Sequence, residues 1–346
     1  MGKSNLQVKV FALLILPVMV FIFFSACSKP TPDVYVAGYE ELDNGSIEAV
    51  YWKNGEKVIL SDIPGTAWAF SIAVSGSNVY VAGLEAGENG KLDAVYWKNG
   101  VKTVLSENAF TAWASSITVS DSDVYVAGRE MNNQGRFTAV YWKNGNKTVL
   151  SEGPLSSMAN RISVVDSKVY VGGNDSNGQP AGVKAVYWSD SEKVTLSADS
   201  GNAGVNAMAV SGSDLYFAGN EDSKVVFWKN GEKTEVTDGS SISVVNAIAV
   251  SGTDIFLGGY ELNENGKTVA VFWKNGDRTT LSESTNSGII NAIASNGTEL
   301  YAAGRDTDAN RINSAVYWKN GIKVNLSRGD NVISATANDI YVMTKK

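Results

Sequence analysis

No histidine occurs among the 346 residues, and there is a single cysteine, Cys27. These absences exclude Ser-His-Asp and Cys-His nucleophilic chemistry, the usual His- or Cys-ligated zinc and copper sites, and any disulfide within the chain. No motif implies a cofactor. Proline is scarce, six residues against 34 glycines, and no stretch after Pro32 sustains a helical period. The plentiful Val, Tyr and Trp are thus left to form strands joined by tight turns. There is no Lys/Arg run, and the net charge is −7. That argues against nucleic acid as a partner.

Long hydrophobic runs are also missing, with one exception. Lys3 and Lys9 precede an apolar stretch, residues 10–24, that ends in Phe24-Ser25-Ala26-Cys27. A basic start, an apolar centre and small residues before a cut describe a secretory signal. The stretch is short for a membrane span and contains Pro17. Its ending resembles a bacterial lipobox, although Phe24 stands where leucine is usual. The resemblance implies that residues 1–26 are removed and that Cys27 is lipidated, for example with palmitate. The expected location is the cell envelope, anchored to a bacterial membrane (the outer one in a Gram-negative cell) and facing the periplasm or exterior. Residues 27–32 would be a linker reaching at most about 17 Å beyond the cysteine. Residues 33–346 then form one domain carrying 27 basic and 36 acidic residues.

What is present is repetition. Ala94-Val95-Tyr96-Trp97-Lys98-Asn99-Gly100 has near-copies beginning at residues 49, 139, 185, 225, 270 and 315. Each is followed by a basic residue, a short apolar stretch and a Leu-Ser or Val-Thr ending. Each is preceded by a stretch such as Asn78-Val79-Tyr80-Val81-Ala82-Gly83, whose aromatic recurs at 35, 80, 125, 170, 216, 256, 301 and 341. Four short strands per 40–46 residues is the signature of propeller blades, and Asn-Gly is the two-residue hairpin signal. The expected fold is all-β, a seven-bladed β-propeller of four-stranded antiparallel blades closed by both termini. Six blades are complete, and the seventh combines a second strand at residues 33–38 with a first strand at residues 332–335. One stretch lacks a slot in this scheme: Asp339-Ile340-Tyr341-Val342 reads as an eighth second strand.

The paired stretches, Asp-Val-Tyr-Val-Ala-Gly and Ala-Val-Tyr-Trp-Lys-Asn-Gly, resemble the repeats of uncharacterised bacterial lipoproteins built as β-propellers. The resemblance runs from Asp33 to about Val342. The layout is also similar to extracellular repeats named HAF. Neither likeness implies a reaction, and the Trp-Asp signature of WD-type propellers is absent.

Seven internal copies separate scaffold from candidate site. An acid follows the second-strand glycine by two residues in every copy: Glu40, Glu85, Glu130, Asp175, Glu221, Glu261 and Asp306. A basic residue opens every fourth strand: Lys57, Lys102, Lys147, Lys193, Lys233, Arg278 and Lys323. The acids are read as loop ties through backbone N–H groups, with a cation-binding ring as the competing reading. The bases are read as scaffold lying against the hairpin tryptophan.

The first strand opens on Asn160, Asn206, Asn246, Asn291 and Asn331, with Phe70 and Ser115 in the remaining copies. This position belongs at the rim of the central channel. Departures from the repeat gather near it: Trp68 and Trp113, expected in the fourth-to-first loops, with Arg129, Arg161 and Arg305. Trp, Arg and Asn together suit carbohydrate or peptide recognition. Loop aromatics filling the space between blades are the competing reading. The expected function is a binding or scaffolding module for a glycan, peptide or protein. The alternatives are a carboxylate-based glycoside hydrolase or polysaccharide lyase, and a structural partner in envelope assembly. An enzyme would need acids unique to one blade and facing the channel, whereas the acids noted above recur in all seven.

Overall fold

The computed structural model describes residues 31–61, 65–87, 90–106, 109–151, 155–176, 182–198, 201–282, 286–297, 299–326, 329 and 331–345. Cys27 and the leader before it lie outside the described residues. Twenty-eight strands form seven four-stranded antiparallel sheets, with no helix among the described residues. Blade 2 shows the pattern. Its innermost strand is Ala67–Ser75, followed outward by Asn78–Ala86, Leu92–Lys98 and Val101–Val104.

Local chemistry sets the turns. In the hairpin between third and fourth strands, Asn99 and Gly100 take φ of 51° and 83°, the left-handed pair that Asn-Gly tolerates and most residues do not. The Asn99 side chain also accepts the Val79 N–H at 2.8 Å, so one residue makes the turn and pins the second strand. The Leu-Ser ending has a similar logic. Ser106 Oγ accepts the Ala94 N–H, the next donor of the third strand once the fourth strand has ended.

The core lies between blades rather than within one. Trp52, Trp97, Trp142, Trp188, Trp228, Trp273 and Trp318 are all buried. Trp142, for example, packs with Val140 of its own blade and with Ala82 and Ala94 of the blade before. Small residues on one face receive the indole from the next, so neighbouring blades interlock.

The repeated acids and bases pair with each other. Glu40–Lys57, Glu85–Lys102, Glu130–Lys147, Asp175–Lys193, Glu221–Lys233, Glu261–Arg278 and Asp306–Lys323 are ion pairs of 2.5–2.7 Å. The loop-tie reading is therefore corrected. Each pair bridges the second and fourth strands across the third, on the sheet face that carries the tryptophan.

Asp33–Leu42 pairs with Val332–Met343, so blade 1 is assembled from both ends of the described chain. Val332–Met343 is one continuous strand, and Asp339 to Val342 is its second half. The surplus second strand expected from the sequence is in fact the innermost strand of the closing blade.

Candidate functional site: the central channel

The channel wall is shaped by a bulge that occurs in every innermost strand. Register skips one residue at Phe70, Ser115, Asn160, Asn206, Asn246, Asn291 and Asn338. The bulge drives a backbone carbonyl toward the second strand at Gly38, Gly83, Gly128, Gly173, Gly219, Gly259 and Gly304. A Cβ at any of these would overlap that carbonyl oxygen, contributed by Thr336, Trp68, Trp113, Met158, Gly204, Val244 and Ile289 respectively. The repeated glycine makes room for the bulge, and the bulge turns one side chain per blade toward the axis.

Five of those side chains are asparagines that link blade to blade. The Nδ2 of Asn160, Asn206, Asn246 and Asn291 donates to the carbonyls of Val205, Val245, Ile290 and Ala337, and Asn338 donates to Ala69, all at 2.8–2.9 Å. Each acceptor is the residue before the bulge in the next blade. The chain of amides is broken at blades 2 and 3, where Phe70 and Ser115 stand. Trp113 lies there too, with the Arg129 guanidinium 4.5 Å from its ring centre and 5.0 Å from that of Phe137. Trp113 and Arg129 are register partners, which places the cation on the ring.

Phe70, Trp113, Arg129, Asn160, Arg161, Asn206, Asn246 and Asn291 thus line one cavity of about 490 Å³, the channel mouth, together with Ser115 and Asn338. Three expected site residues are elsewhere. Asn331 is exposed in the turn before the closing strand, where its carbonyl accepts the Asp43 N–H. Its place is taken by Asn338. Trp68 is half-buried and edge-on to Tyr39 at 6.4 Å, filling the space between blades 1 and 2. Arg305 is half-buried in the strand Leu300–Thr307, opposite Ile289, outside the lining. Trp68 and Trp113 belong to innermost strands and not to loops.

Below the mouth is a throat of about 170 Å³. Its wall carries the residue after each bulge: Ser71, Ser116, Arg161, Ala207, Ala247, Ala292 and Asp339. Asp339 is an acid unique to one blade and facing the channel, which the sequence reading missed. Its Oδ2 accepts the Ser71 hydroxyl at 2.8 Å and the Ile72 N–H at 2.9 Å, and its Oδ1 accepts the Ile340 N–H. Burial pushes this carboxyl above its ordinary value, against the opposing pull of Arg161 and these hydrogen bonds. Arg161 spans both chambers. Its Nη1 donates to the Asn160 carbonyl at 3.0 Å and its Nη2 reaches the Asn246 carbonyl at 3.5 Å, two blades away.

The raised carboxyl has a consequence for stability. A group that holds its proton more tightly when folded opposes folding once the unfolded chain ionises. That penalty is absent below pH 3.8 and grows as pH rises to the native value. Asp339→Asn keeps a carbonyl oxygen for Ser71 and Ile72 and gives up one acceptor, that of the Ile340 N–H. It is expected to melt above the parent at pH 7, with the gap closing toward pH 3.8. A lower melting temperature at pH 7 would show that the carboxylate is a net anchor.

These features define a seven-bladed β-propeller with a polar axial channel. No family model matches the chain, and no curated protein matches it. Among solved structures it is similar to the β-propeller domain of the Trilobed protease from Pyrococcus furiosus, at 12% identity and a TM-score of 0.57, covering 88% of this chain and 96% of that one. It is also similar to a Mycobacterium tuberculosis puromycin-hydrolyzing peptidase, at 11% identity and 0.57, and to a puromycin hydrolase S511A mutant complexed with PGG, at 10% and 0.60. These cover 88% and 87% of this chain, which spans about half the length of each peptidase, 54% and 53%. At such identities the likeness concerns the fold alone.

Proposed function

We propose that the protein is a ligand-binding module of the cell envelope, held to a membrane through lipid on Cys27, with its site at the channel mouth. The observation that supports this most is the asymmetry of the mouth. Blades 1 and 4–7 contribute the same asparagine in the same hydrogen bond, while blades 2 and 3 substitute an aromatic and arginine cluster. A purely structural ring would gain from seven alike positions. A broken ring presents planar hydrogen bonding on one side and a stacking surface on the other, the combination used for polar ligands with a flat face.

The enzyme alternative is less well supported. Glycoside hydrolysis uses two carboxyl groups flanking the bond. Asp339 is the one carboxylate among the channel-lining residues, and its oxygens are held by the wall.

The test is binding of neutral and acidic oligosaccharides by the chain and by Phe70→Ala/Trp113→Ala. Saturable binding about tenfold weaker in the double variant, with an unchanged melting temperature, is expected. Unaltered binding in that variant would move the site away from the mouth. In cells that produce the full chain, Cys27→Ser is expected to leave the membrane fraction, and retention there would remove the lipid anchor from the proposal.

A further inference from the structure

The throat is electrically lopsided, and the reason is in the backbone. In each innermost strand the second residue after the bulge turns its N–H off the free inner edge of the sheet. At Ile72, Ile117 and Ile162 this donor is satisfied by the side chain of the preceding blade: Asp339 Oδ2 at 2.9 Å, Ser71 Oγ at 3.2 Å and Ser116 Oγ at 3.3 Å. Ile340 is satisfied by Asp339 Oδ1.

Met208, Ile248 and Ile293 hold the same register position, opposite Phe217, Leu257 and Ala302. The side chains that precede them around the ring are Arg161, Ala207 and Ala247, none of which offers an acceptor. One arc of the throat therefore presents three backbone donors, and all three residues line the cavity. Arg161 reaches across this same arc toward Asn246.

Arg161 is itself an anomaly. Blades 5, 6 and 7 place alanine at its position, so nothing in the repeat requires a long side chain there. It forms no ion pair within 4 Å among the described residues. Its two hydrogen bonds go to carbonyls and leave other donors of its fork free. Burial disfavours its charge, and only the Asp339 carboxylate, across the throat and not within 4 Å, offsets this. Arg129, higher in the mouth, also forms no ion pair among the described residues, and its Nε is buried without an acceptor. The mouth lining contains these two cations and no acid, although the chain carries a net charge of −7. The channel's one lining acid is Asp339, outside that arc of the throat and with its oxygens taken by Ser71, Ile72 and Ile340, while the seven repeated acids are paired with the outer-strand bases.

We infer that the channel binds an acidic sugar, with a carboxylate of a uronic acid held by Arg161 and the N–H arc of Met208, Ile248 and Ile293, and the ring hydroxyls held at the asparagine mouth. The inference rests on the mouth being a binding site. A guanidinium fork with converging N–H groups matches a carboxylate in charge and in plane. Each mouth asparagine spends one N–H on its neighbour and keeps Oδ1 and the second N–H, an acceptor beside a donor, as vicinal hydroxyls require. Trp113 and Phe70 supply a face for the sugar's C–H side. An extended peptide is less well served. The mouth carbonyls that a strand would pair with are already taken by Asn160, Asn206, Asn246, Asn291 and Asn338, which leaves no continuous edge for β-augmentation.

The experiment is calorimetric titration of the full chain with oligogalacturonate trimer and hyaluronan tetrasaccharide. The methyl-esterified trimer, a neutral oligosaccharide and tri-glutamate serve as comparisons. At least one uronate is expected to bind saturably, with the ester about tenfold weaker. Arg161→Ala is expected to bind ten- to a hundredfold more weakly than the parent, and Arg161→Lys to fall between, keeping the charge and losing the fork. Arg161→Ala should melt no lower than the parent, since it restores the residue of blades 5–7, so lost binding would not report lost fold. Equal binding of acid and ester, or neutral sugars binding while uronates do not, overturns the anionic ligand and leaves the mouth as a site. Tri-glutamate binding more tightly than either uronate, and losing that binding in Arg161→Ala, overturns the sugar. No binding of any sugar, neutral or acidic, overturns both the inference and the functional reading beneath it.

Discussion

Gly173→Ala is expected to destabilise the protein by about 3 kcal/mol or more, and Gly172→Ala, its neighbour, by about 1 kcal/mol or less. The two glycines share a strand and a burial class, so composition and propensity treat them alike. Their surroundings differ. A Cβ on Gly173 would overlap the Met158 carbonyl oxygen, a backbone group that the bulge at Asn160 fixes in place. Relief would require unmaking the bulge, which withdraws Asn160 from Val205 and turns Arg161 off the axis. A Cβ on Gly172 would meet Val205 Cγ1 at 2.9 Å and a Phe217 ring carbon at 3.2 Å, side-chain atoms of buried residues that must shift by a few tenths of an ångström but need not unmake any backbone feature. Five other blades hold alanine there: Ala37, Ala82, Ala127, Ala218 and Ala303. For a domain of this size 1 kcal/mol moves the melting point by roughly 1.5 °C, so a difference of about 2 kcal/mol between the two variants is a gap of roughly 3 °C that thermal melts resolve. Equal losses would mean that the bulge is not what keeps the glycine.

The same comparison explains what could be read from sequence. Blade number, strand order, the Asn-Gly turns and the buried tryptophans follow from short-range chemistry repeated seven times, and repetition averages away the irregularities of any one copy. The pairing of Glu40 with Lys57 and of its six equivalents was hidden for a different reason. The partners are 12 to 18 residues apart and meet only because the second and fourth strands flank the third. Both rings were visible, but a sequence does not display which sheet face two distant positions share.

The misplaced channel residue is more instructive. Asn331-Val332-Ile333 imitates the start of a first strand, and Asp339-Ile340-Tyr341-Val342 imitates a second strand. Asn338-Asp339-Ile340-Tyr341-Val342 equally matches Asn246-Ala247-Ile248-Ala249-Val250 of an innermost strand. The deciding signal was the missing glycine. A second strand needs one where the bulge presses on it, as at Gly128 after Asp123-Val124-Tyr125-Val126-Ala127, whereas Met343 and Thr344 follow Val342. Once the strand is placed, Asp339 enters the throat and Asn338 completes the amide chain. The throat itself was beyond reach from sequence, because its donors are main-chain N–H groups and are the same for every residue type.

Deleting residues 332–346 is expected to abolish cooperative folding, while deleting residues 344–346 should cost about 1 kcal/mol or less. The longer deletion removes the innermost strand of blade 1 and with it Val332, Ala335, Ala337 and Ile340, all buried in the cluster that holds Val34, Val36 and Trp52. It leaves Asp33–Leu42 as an open edge. It also breaks the channel amide chain twice, since Asn291 loses its acceptor at Ala337 and Ala69 loses its donor at Asn338. The Ser71 hydroxyl and Ile72 N–H lose Asp339 as well. The shorter deletion removes the Lys345–Asp33 ion pair at 2.9 Å, whose lysine is half in solvent, and exposed pairs of that kind contribute little. Gel filtration and thermal melts distinguish the outcomes: aggregation without a sharp transition for the long deletion, and a nearly native transition for the short one. A synthetic peptide of residues 332–343 added to the long deletion should restore a transition, because strand pairing alone closes this ring. A sharp melt within a few degrees of the parent, without the peptide, would show instead that packing between neighbouring blades holds six and a half blades together unaided.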